Sequence, residues 1–345
     1  MDKLLLTLLL IILFILLILF IMFFVLVYYR IQEVKKKEKI ADYIKERQDE
    51  WYDYLFRDNL QAETLMPKHT VELEAIDELF FRLSYHFASE DISGKMNDFA
   101  KRYMSGYYTK QLNSRSAGVR INTLNKIKLF NLTFIAEEVL KQPQRKRKYS
   151  KTEYLLIYAI IARFSAAEFV AHFICPQVPL GEFDYKKLLI ELEKSQIDLL
   201  GEKFDELPEL LQLTLIEIAG VNYYLDWLPL LHQCLDSTNQ ELRIRALKSI
   251  AELEVADVLT LYKEFAYSPV WEERLMTAKI LRSAPAEDAL PVLNQLIGDS
   301  VYQVRAQAAK SMKSLRNGQQ ALYSVITTSS DEFAVDVAEE MFGKE

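Results

Sequence analysis

Hydrophobic and polar positions divide this chain into two regions. Residues 4–27 are apolar except for Thr7, a run long enough to cross the hydrocarbon of a bilayer as a helix. Beyond the run, apolar residues recur at the three- and four-residue spacing of amphipathic helices, as at Leu242, Ala246 and Ile250. The sequence lacks the sustained alternation typical of strands, and 9 Gly with 9 Pro in 345 residues is poor in turn formers. The pattern therefore predicts an all-α chain with an N-terminal transmembrane helix.

The charges that flank the apolar run predict its orientation. Only Lys3 precedes the run, offset by Asp2, whereas a basic cluster follows it, and the positive-inside rule then places the rest of the chain in the cytoplasm. The run is too long for a signal peptide and no small-residue cleavage pattern follows it. We expect a single-pass protein of the cell membrane with a cytoplasmic C-terminal domain. The basic cluster comprises Arg30, Lys35, Lys36, Lys37 and Lys39.

The last part of the chain contains an internal duplication. Segment 226–235 recurs at 288–297, and five identical residues are separated by the same 62 positions (288 − 226). The register continues into a second segment, where Arg243 and Arg305 are equivalent, and Arg274 lies halfway between them. The repeating unit is therefore about 31 residues long, a period typical of solenoids built from stacked helical units.

Each unit has the apolar spacing of two packed helices, and its Val/Leu-Arg-x-x-Ala pattern after an Asp-containing turn resembles HEAT repeats. The resemblance implies a HEAT-like α-solenoid. It also implies that Arg243, Arg274 and Arg305 lie in the layer between repeats, pair with acidic residues and are structural rather than ligand-binding. Capping sequences predict helix N-caps at Thr238, Ser268 and Ser329.

Earlier segments carry weaker versions of the same spacing. Val119 to Phe130 has the pattern of the later arginine helices, which predicts that repeats begin well before residue 200. The charged stretch after the span is predicted to be helical, either a stalk that pairs protomers or a helix with one solvated face. The predicted organisation is a transmembrane anchor at 1–29, a charged helical stalk and linker at 30–66, divergent helical repeats at 67–200 and HEAT-like repeats at 201–345.

Charge is distributed unevenly, although the net charge is only -7. Residues 101–151 contain thirteen basic residues against Glu137 and Glu138, whereas the chain from Thr152 onward contains 17 basic and 30 acidic residues. A basic stretch between helices can bind anionic lipid headgroups, an acidic partner or nucleic acid, or it can be a solvated loop. A net acidic chain disfavours nucleic acid. The predicted contact residues are Arg145, Lys146, Arg147 and Lys148.

Catalytic and cofactor motifs are missing from the sequence. It contains no Gly-rich phosphate loop, no His-Glu-x-x-His and no Gly-x-Ser-x-Gly, so we predict no enzyme activity, no cofactor and no metal. The ligand types of a zinc site occur at His172, Cys175, His232 and Cys234. Residues two apart on a helix point in nearly opposite directions, which separates His232 from Cys234. We therefore expect core cysteines and a surface histidine.

Three aromatic pairs could line a ligand groove, but aromatic residues at helical spacing are more often part of the core. We expect core positions for them. The pairs are Phe80-Phe81, Tyr107-Tyr108 and Tyr223-Tyr224.

The resemblance to HEAT repeats implies a membrane-anchored scaffold or adaptor that binds a protein partner at the inner membrane face. The architecture also resembles bacterial single-span HEAT proteins of envelope polysaccharide synthesis, which implies a membrane glycosyltransferase as the partner. Two alternatives from other classes are a lyase-like solenoid enzyme, which needs a concave pocket with titratable residues, and a nucleic-acid-binding solenoid, which needs strongly salt-dependent binding.

Overall fold

The computed structural model describes residues 2–86, 89–145, 147–164 and 166–343, and all the secondary structure in these ranges is helical. The predicted all-α class is therefore confirmed for the described chain. Two compact units divide at Ala166/Ala167. This boundary lies within the region predicted as divergent repeats, 67–200.

The first unit contains a long N-terminal helix followed by shorter helices. Its helices are α1 (Asp2–Tyr52), α2 (Thr70–His86), α3 (Glu90–Phe99), α4 (Ser105–Leu112), α5 (Ala117–Leu129), α6 (Ala136–Leu140) and α7 (Lys151–Phe164).

Helix α1 is long and apolar enough to cross a membrane. It runs without a break from the apolar stretch into the folded unit, a length of about 75 Å at 1.5 Å per residue. Large side chains from Leu10 to Tyr29 are exposed in the protein, as expected for residues that face lipid. The far end of the helix belongs to the core, because Trp51 is fully buried against Phe80 and Phe99 at ring distances of 5.4 and 4.8 Å.

The segment predicted as a stalk and linker, 30–66, therefore contributes to the core of the first unit. Leu55 lies in a π-helical turn, Asp53–Arg57, that extends α1, and Leu65 ends a short 3-10 turn. Both leucines are at most 1% exposed. The sequence pattern did not reveal this because the apolar residues of the segment lie among many charged ones.

The second unit is also helical, and its helices from Leu228 onward pack as successive pairs. The helices of the unit are α8 (Ala166–Ile174), α9 (Glu182–Leu189), α10 (Lys194–Gly201), α11 (Glu209–Val221), α12 (Leu228–Leu235), α13 (Gln240–Leu253), α14 (Leu259–Phe265), α15 (Trp271–Ile280), α16 (Ala286–Leu296), α17 (Tyr302–Ser314), α18 (Gly318–Thr328) and α19 (Glu332–Phe342).

Helices α11, α13, α15 and α17 pack one on the next, and α13, α15 and α17 are each the second helix of a pair. Small residues permit this packing, since Ala246, Ala278 and Ala308 are all fully buried between neighbouring helices. The period predicted from the sequence thus corresponds to one helix pair of a repeat-like stack.

Turns that follow the stacked helices α11 and α13 adopt the left-handed conformation at a non-glycine residue. Tyr223 has φ 57° and Glu254 has φ 56°, and the two positions are one repeat apart (254 − 223). Asn131 occupies the corresponding turn after α5 in the first unit, with φ 56°. The same turn geometry therefore occurs in both units.

The predicted N-caps were wrong in detail. Asn239 caps α13 and Asp331 caps α19, each by accepting hydrogen bonds from two backbone amides, and α15 begins after Val270. The serines nearby have another role: Ser268 Oγ accepts the Val270 N–H at 3.1 Å, and Ser329 Oγ accepts the Asp331 N–H at 3.1 Å. These serines shape the turn before the helix rather than capping it.

Candidate functional site

The loop between α6 and α7 carries the predicted contact residues, except that Lys146 lies outside the described residues. Arg145 and Lys148 are exposed, and Arg145 forms a long ion pair with Glu138 at 3.5 Å. Arg147 differs from both. Its guanidinium donates to the backbone carbonyls of Ser114 at 2.9 Å and of Asn113 at 3.2 Å.

Arg147 therefore fastens the α6–α7 loop to the turn before α5. That turn carries Arg115, which is exposed. We call Arg115, Arg145 and Lys148 the basic rim. From the sequence, Arg115 is only one of the thirteen basic residues in 101–151, because its proximity to the loop depends on the tertiary contact made by Arg147.

A second set of arginines makes the same contact in both units. In each case the guanidinium donates to the carbonyl of the residue six positions earlier in the chain. The contacts are Arg120 to Ser114 at 2.9 Å, Arg243 to Ser237 at 2.9 Å, Arg274 to Ser268 at 2.8 Å and Arg305 to Asp299 at 2.7 Å. Arg120 thus belongs to the same structural series as the three predicted inter-repeat arginines.

Two of the predicted arginines pair with an acid of the following repeat. Arg243 Nε lies 2.7 Å from Glu273 Oε1, and Arg274 makes two bonds to the Asp299 carboxylate at 2.6 and 2.8 Å. Arg305 is different, because its buried Nε has no hydrogen-bond partner among the described residues. Arg243 and Arg274 therefore bridge successive repeats, whereas Arg305 makes no such bridge through its Nε.

The environment of Arg305 is aromatic. Its guanidinium carbon lies 5.8 Å from the centre of the Tyr302 ring and 5.3 Å from that of Phe333. Tyr302 is 52% exposed and Phe333 65% exposed. Trp271, Tyr302 and Phe333 hold the same register position in successive repeats, each in the first turn of a helix. We call these three residues the aromatic row.

Sequence reasoning missed the aromatic row, although the signal was present. The spacing of the three aromatics is the repeat period itself, and inspection of aromatic residues in that register would have found it. Exposed aromatic side chains beside an arginine are the residue types that contribute most to protein–protein binding.

The aromatic pairs expected in the core are divided between core and surface. Phe80 is fully buried, but Phe81 is 44% exposed, and Tyr223 is 64% exposed at its left-handed turn. Neighbouring residues on a helix face different directions, so at most one member of such a pair can occupy the core face.

The third pair, Tyr107-Tyr108, borders a cleft of about 500 Å³ in the first unit. Asp77 organises its wall: it is 3% exposed, accepts hydrogen bonds from Tyr108 at 2.9 Å and Tyr107 at 3.4 Å, and pairs with Lys126. Burial and the charge of Asp77 raise the pKa of Tyr108 and of Tyr107, so both tyrosines remain protonated donors. Lys37 and Ile40 of α1 also line the cleft, together with residues of α5 from Val119 to Lys126.

The four residues of the zinc-ligand types do not form a metal-binding group. His232 Nε2 lies 2.7 Å from the Tyr262 hydroxyl and 3.4 Å from Asp257. Cys234 is buried, and burial raises its pKa to about 12, which keeps the thiol protonated. Among the residues that the structure describes, no group of three or more His, Cys, Asp or Glu side chains could hold a metal ion.

The expectation of two core cysteines was half wrong. Cys234 is in the core, but Cys175 is exposed just after the last residue of α8. The helical spacing that identified apolar faces does not extend past the end of a helix, so it could not place Cys175.

Comparison with known proteins identifies no family. No family model matches the chain, and no curated protein matches it. Among solved structures, two crystal structures of engineered proteins are similar at 13% sequence identity. The first aligns with a TM-score of 0.39 over 81% of this chain and 86% of that protein, and the second with a TM-score of 0.29 over 68% and 94%.

Proposed function

We propose that the chain is a membrane-anchored scaffold of the HEAT-repeat type, which binds a protein partner at the cytoplasmic face of the cell membrane. Basic residues after the apolar run support the cytoplasmic orientation. The recurring arginine contacts and the periodic helix pairs support the HEAT-like character.

The observation that carries this proposal is the continuity of α1. A single helix includes the exposed apolar stretch and the buried Trp51, which packs on Phe80 and Phe99. A flexible tether would leave the first unit free to move relative to the membrane, whereas a continuous helix with its end in the core of that unit couples the unit to the membrane. Such coupling suits a scaffold that holds a partner near a membrane.

The partner-binding surface in this proposal is the aromatic row with Arg305. Tyr302 and Phe333 expose more than half of their surface, and burial of each by a partner would remove a large apolar area from water. The half-buried Arg305 places its guanidinium carbon 5.8 Å from the centre of the Tyr302 ring and 5.3 Å from that of Phe333, so a partner that covers both rings would also approach this positive charge. Aromatic residues and arginine are enriched at the centres of protein–protein interfaces, which favours this surface over the rest of the second unit.

Affinity capture of the full-length protein from gently solubilised membranes tests the proposal. We expect one protein to co-purify in near-stoichiometric amount. A Tyr302→Ser/Phe333→Ser variant should lose it by at least about tenfold, because two interface aromatics commonly contribute more than about 1.4 kcal/mol together.

The matched control is Tyr323→Ser/Phe342→Ser, which removes two other exposed aromatics from α18 and α19. It should capture the partner as the wild type does. If no specific protein accompanies the wild-type chain, the scaffold proposal fails. If both double variants lose the partner equally, the aromatic row is not the binding surface.

A further inference from the structure

We infer that the basic rim binds the anionic headgroups of the membrane that α1 crosses. The inference rests on the anchoring part of the proposed function and adds a second, independent membrane contact to it. Three properties of the first unit support it. They are the direction of α5, the distance of the turn before α5 and of the α6–α7 loop from the apolar stretch, and the charge of these two loops.

Contacts within the first unit give the direction of α5 relative to α1. Residues of α5 from Val119 to Lys126 line the same cleft as Lys37 and Ile40. The residue that follows its last turn, Phe130, contacts Phe80 at a ring distance of 5.9 Å, and Phe80 in turn contacts Trp51 at 5.4 Å. Lys37 is nearer to the apolar stretch than Trp51 is. The amino-terminal end of α5 therefore lies on the membrane side of the unit.

Helix α7 has the same direction as α5. Arg120, in the first turn of α5, bonds to Glu153, in the first turn of α7, at 2.6 Å. The α6–α7 loop consequently emerges at the same end of the unit as the turn before α5. Arg147 fixes this arrangement by its bonds to Asn113 and Ser114.

The helical rise along α1 and α5 places these loops close to the headgroups. Lys37 is ten residues past Val27, about 15 Å along α1 at 1.5 Å per residue. Arg115 precedes Val119 by four residues, about 6 Å nearer to the membrane if the helical rise is extended. The loops then lie roughly 10 Å from the hydrocarbon, against a headgroup layer of about 5–8 Å on each side of the bilayer. Long Arg and Lys side chains span the remaining gap.

The positive charge of the basic rim favours anionic lipid as its ligand. Arg115, Arg145 and Lys148 are all exposed, and the half-buried acid beside the loop, Glu138, already pairs with Lys141 at 2.9 Å and with Arg145 at 3.5 Å. The acid in the first turn of α7, Glu153, is fully buried against Arg120. The surface that faces the membrane is thus basic, although the whole chain has a net charge of -7.

The rim also differs from the opposite end of the unit, which supplies a control. Lys101 is exposed beside Tyr54 and Phe99, and Phe99 contacts Trp51 at 4.8 Å. Lys101 therefore lies at the end of the unit that is remote from the membrane. A membrane contact should shield Lys148 and leave Lys101 unaffected.

The test uses full-length protein in nanodiscs of phosphatidylcholine alone or with one-third phosphatidylglycerol. Acetylation of Lys148 and Lys101 is followed by mass spectrometry. Lys148 should react about fivefold more slowly in the anionic discs, the equivalent of about 1 kcal/mol for a basic residue at an anionic surface. Lys101 should react equally in both discs, and added salt should abolish the difference.

Variants distinguish a contact made by the basic rim from a general effect of the protein's charge. Arg115→Glu/Arg145→Glu should remove the protection of Lys148, and Lys101→Glu should preserve it. Equal reactivity of Lys148 in the two kinds of disc, with the protein incorporated, would overturn the inference and leave the scaffold proposal intact. Protection of Lys148 without capture of any partner would support the membrane contact of the basic rim and contradict the scaffold proposal. A chain that does not enter the discs would refute the anchor and the rim together.

Discussion

Arg120 Nε donates to Glu153 Oε1 at 2.6 Å, and the two side chains are 5% and 0% exposed. The second unit has the same relationship between Arg243 and Glu273 at 2.7 Å. In both, a serine hydroxyl also donates to the acid, from Ser150 at 2.9 Å in the first unit and from Ser268 in the second. An interaction repeated in two compact units indicates that the first unit is built from the same kind of helix pair as the second.

Replacement of Glu153 by glutamine should destabilise the first unit strongly. The buried guanidinium would lose its counter-charge, which typically costs about 3–5 kcal/mol. Thermal unfolding of the full-length protein in detergent, followed by circular dichroism, measures the loss. Glu138→Gln is the control, because its pair with Arg145 is partly exposed and should change stability by less than about 1 kcal/mol. Similar losses of stability in Glu153→Gln and Glu138→Gln would show that burial does not determine how much an ion pair contributes to stability.

Gly220 permits α11 to approach α13. A Cβ at this position would lie 2.6 Å from the Ser249 Cα, which belongs to the backbone of the neighbouring helix, while the Ser249 hydroxyl donates to the Ile216 carbonyl at 2.7 Å. Gly220→Ala should therefore destabilise the second unit by about 1–3 kcal/mol. Gly94→Ala is the matched control, because no atom lies within 4 Å of its Cβ. That change should stabilise α3 by about 0.5–1 kcal/mol, and a loss of stability there would contradict this account.

Tyr223 is a bulky residue in the left-handed region, with φ 57° and 64% of its surface exposed. This backbone conformation costs roughly 1–2 kcal/mol for most L-residues, and asparagine tolerates it better. Tyr223→Asn should raise the free energy of unfolding by about 1 kcal/mol in urea titrations. Leu225→Asn, at an exposed neighbouring position, should change it by less than about 0.5 kcal/mol. A destabilised Tyr223→Asn protein would indicate that the ring makes a stabilising contact.

Stability should depend on pH through Glu182. Hydrogen bonds from Arg245 at 2.9 and 3.1 Å, together with Lys186 at 3.0 Å, lower the pKa of Glu182 to about 2. Because the folded pKa is below the ordinary value of 4.5, the stabilisation is fully present above about pH 4.5 and is lost as the pH falls towards 2. Thermal midpoints of Glu182→Gln should fall less steeply than those of the wild type in this range.

Arg245→Met provides the control for this pH dependence, since it removes the group that makes the two hydrogen bonds. In that background Glu182→Gln should add little to the pH dependence of the midpoint. Parallel midpoint curves for the wild type and Glu182→Gln would refute the assignment to Glu182.

The two cysteines should react differently with thiol reagents. Cys175 is exposed, whereas Cys234 is buried and its pKa is raised to about 12 by burial. Since the thiolate is the reactive species, a maleimide should label Cys175 in the native protein and reach Cys234 only after unfolding. Peptide mass spectrometry of native and denatured samples measures both sites. Native labelling of Cys234 at the rate of Cys175 would contradict the burial of α12 against the core.

The sequence by itself determined the elements and their repetition. Apolar spacing is a local property of a helix, so it predicted helices along the chain, the long apolar segment and the equivalence of Arg243, Arg274 and Arg305. The repeat period is also a property of the residue order alone. It predicted the stacked helix pairs without reference to any distant contact.

Only the tertiary structure decided which side chains meet. Arg147 lies among basic residues that the sequence makes indistinguishable, yet it alone of Arg145, Arg147 and Lys148 bonds to the turn before α5. Trp51 lies in the last turn of α1, after a highly charged stretch of that helix, and is nevertheless buried. The physical reason is that ion pairs, burial and loop proximity depend on how separate helices pack, and packing joins residues far apart in the chain that no local pattern relates.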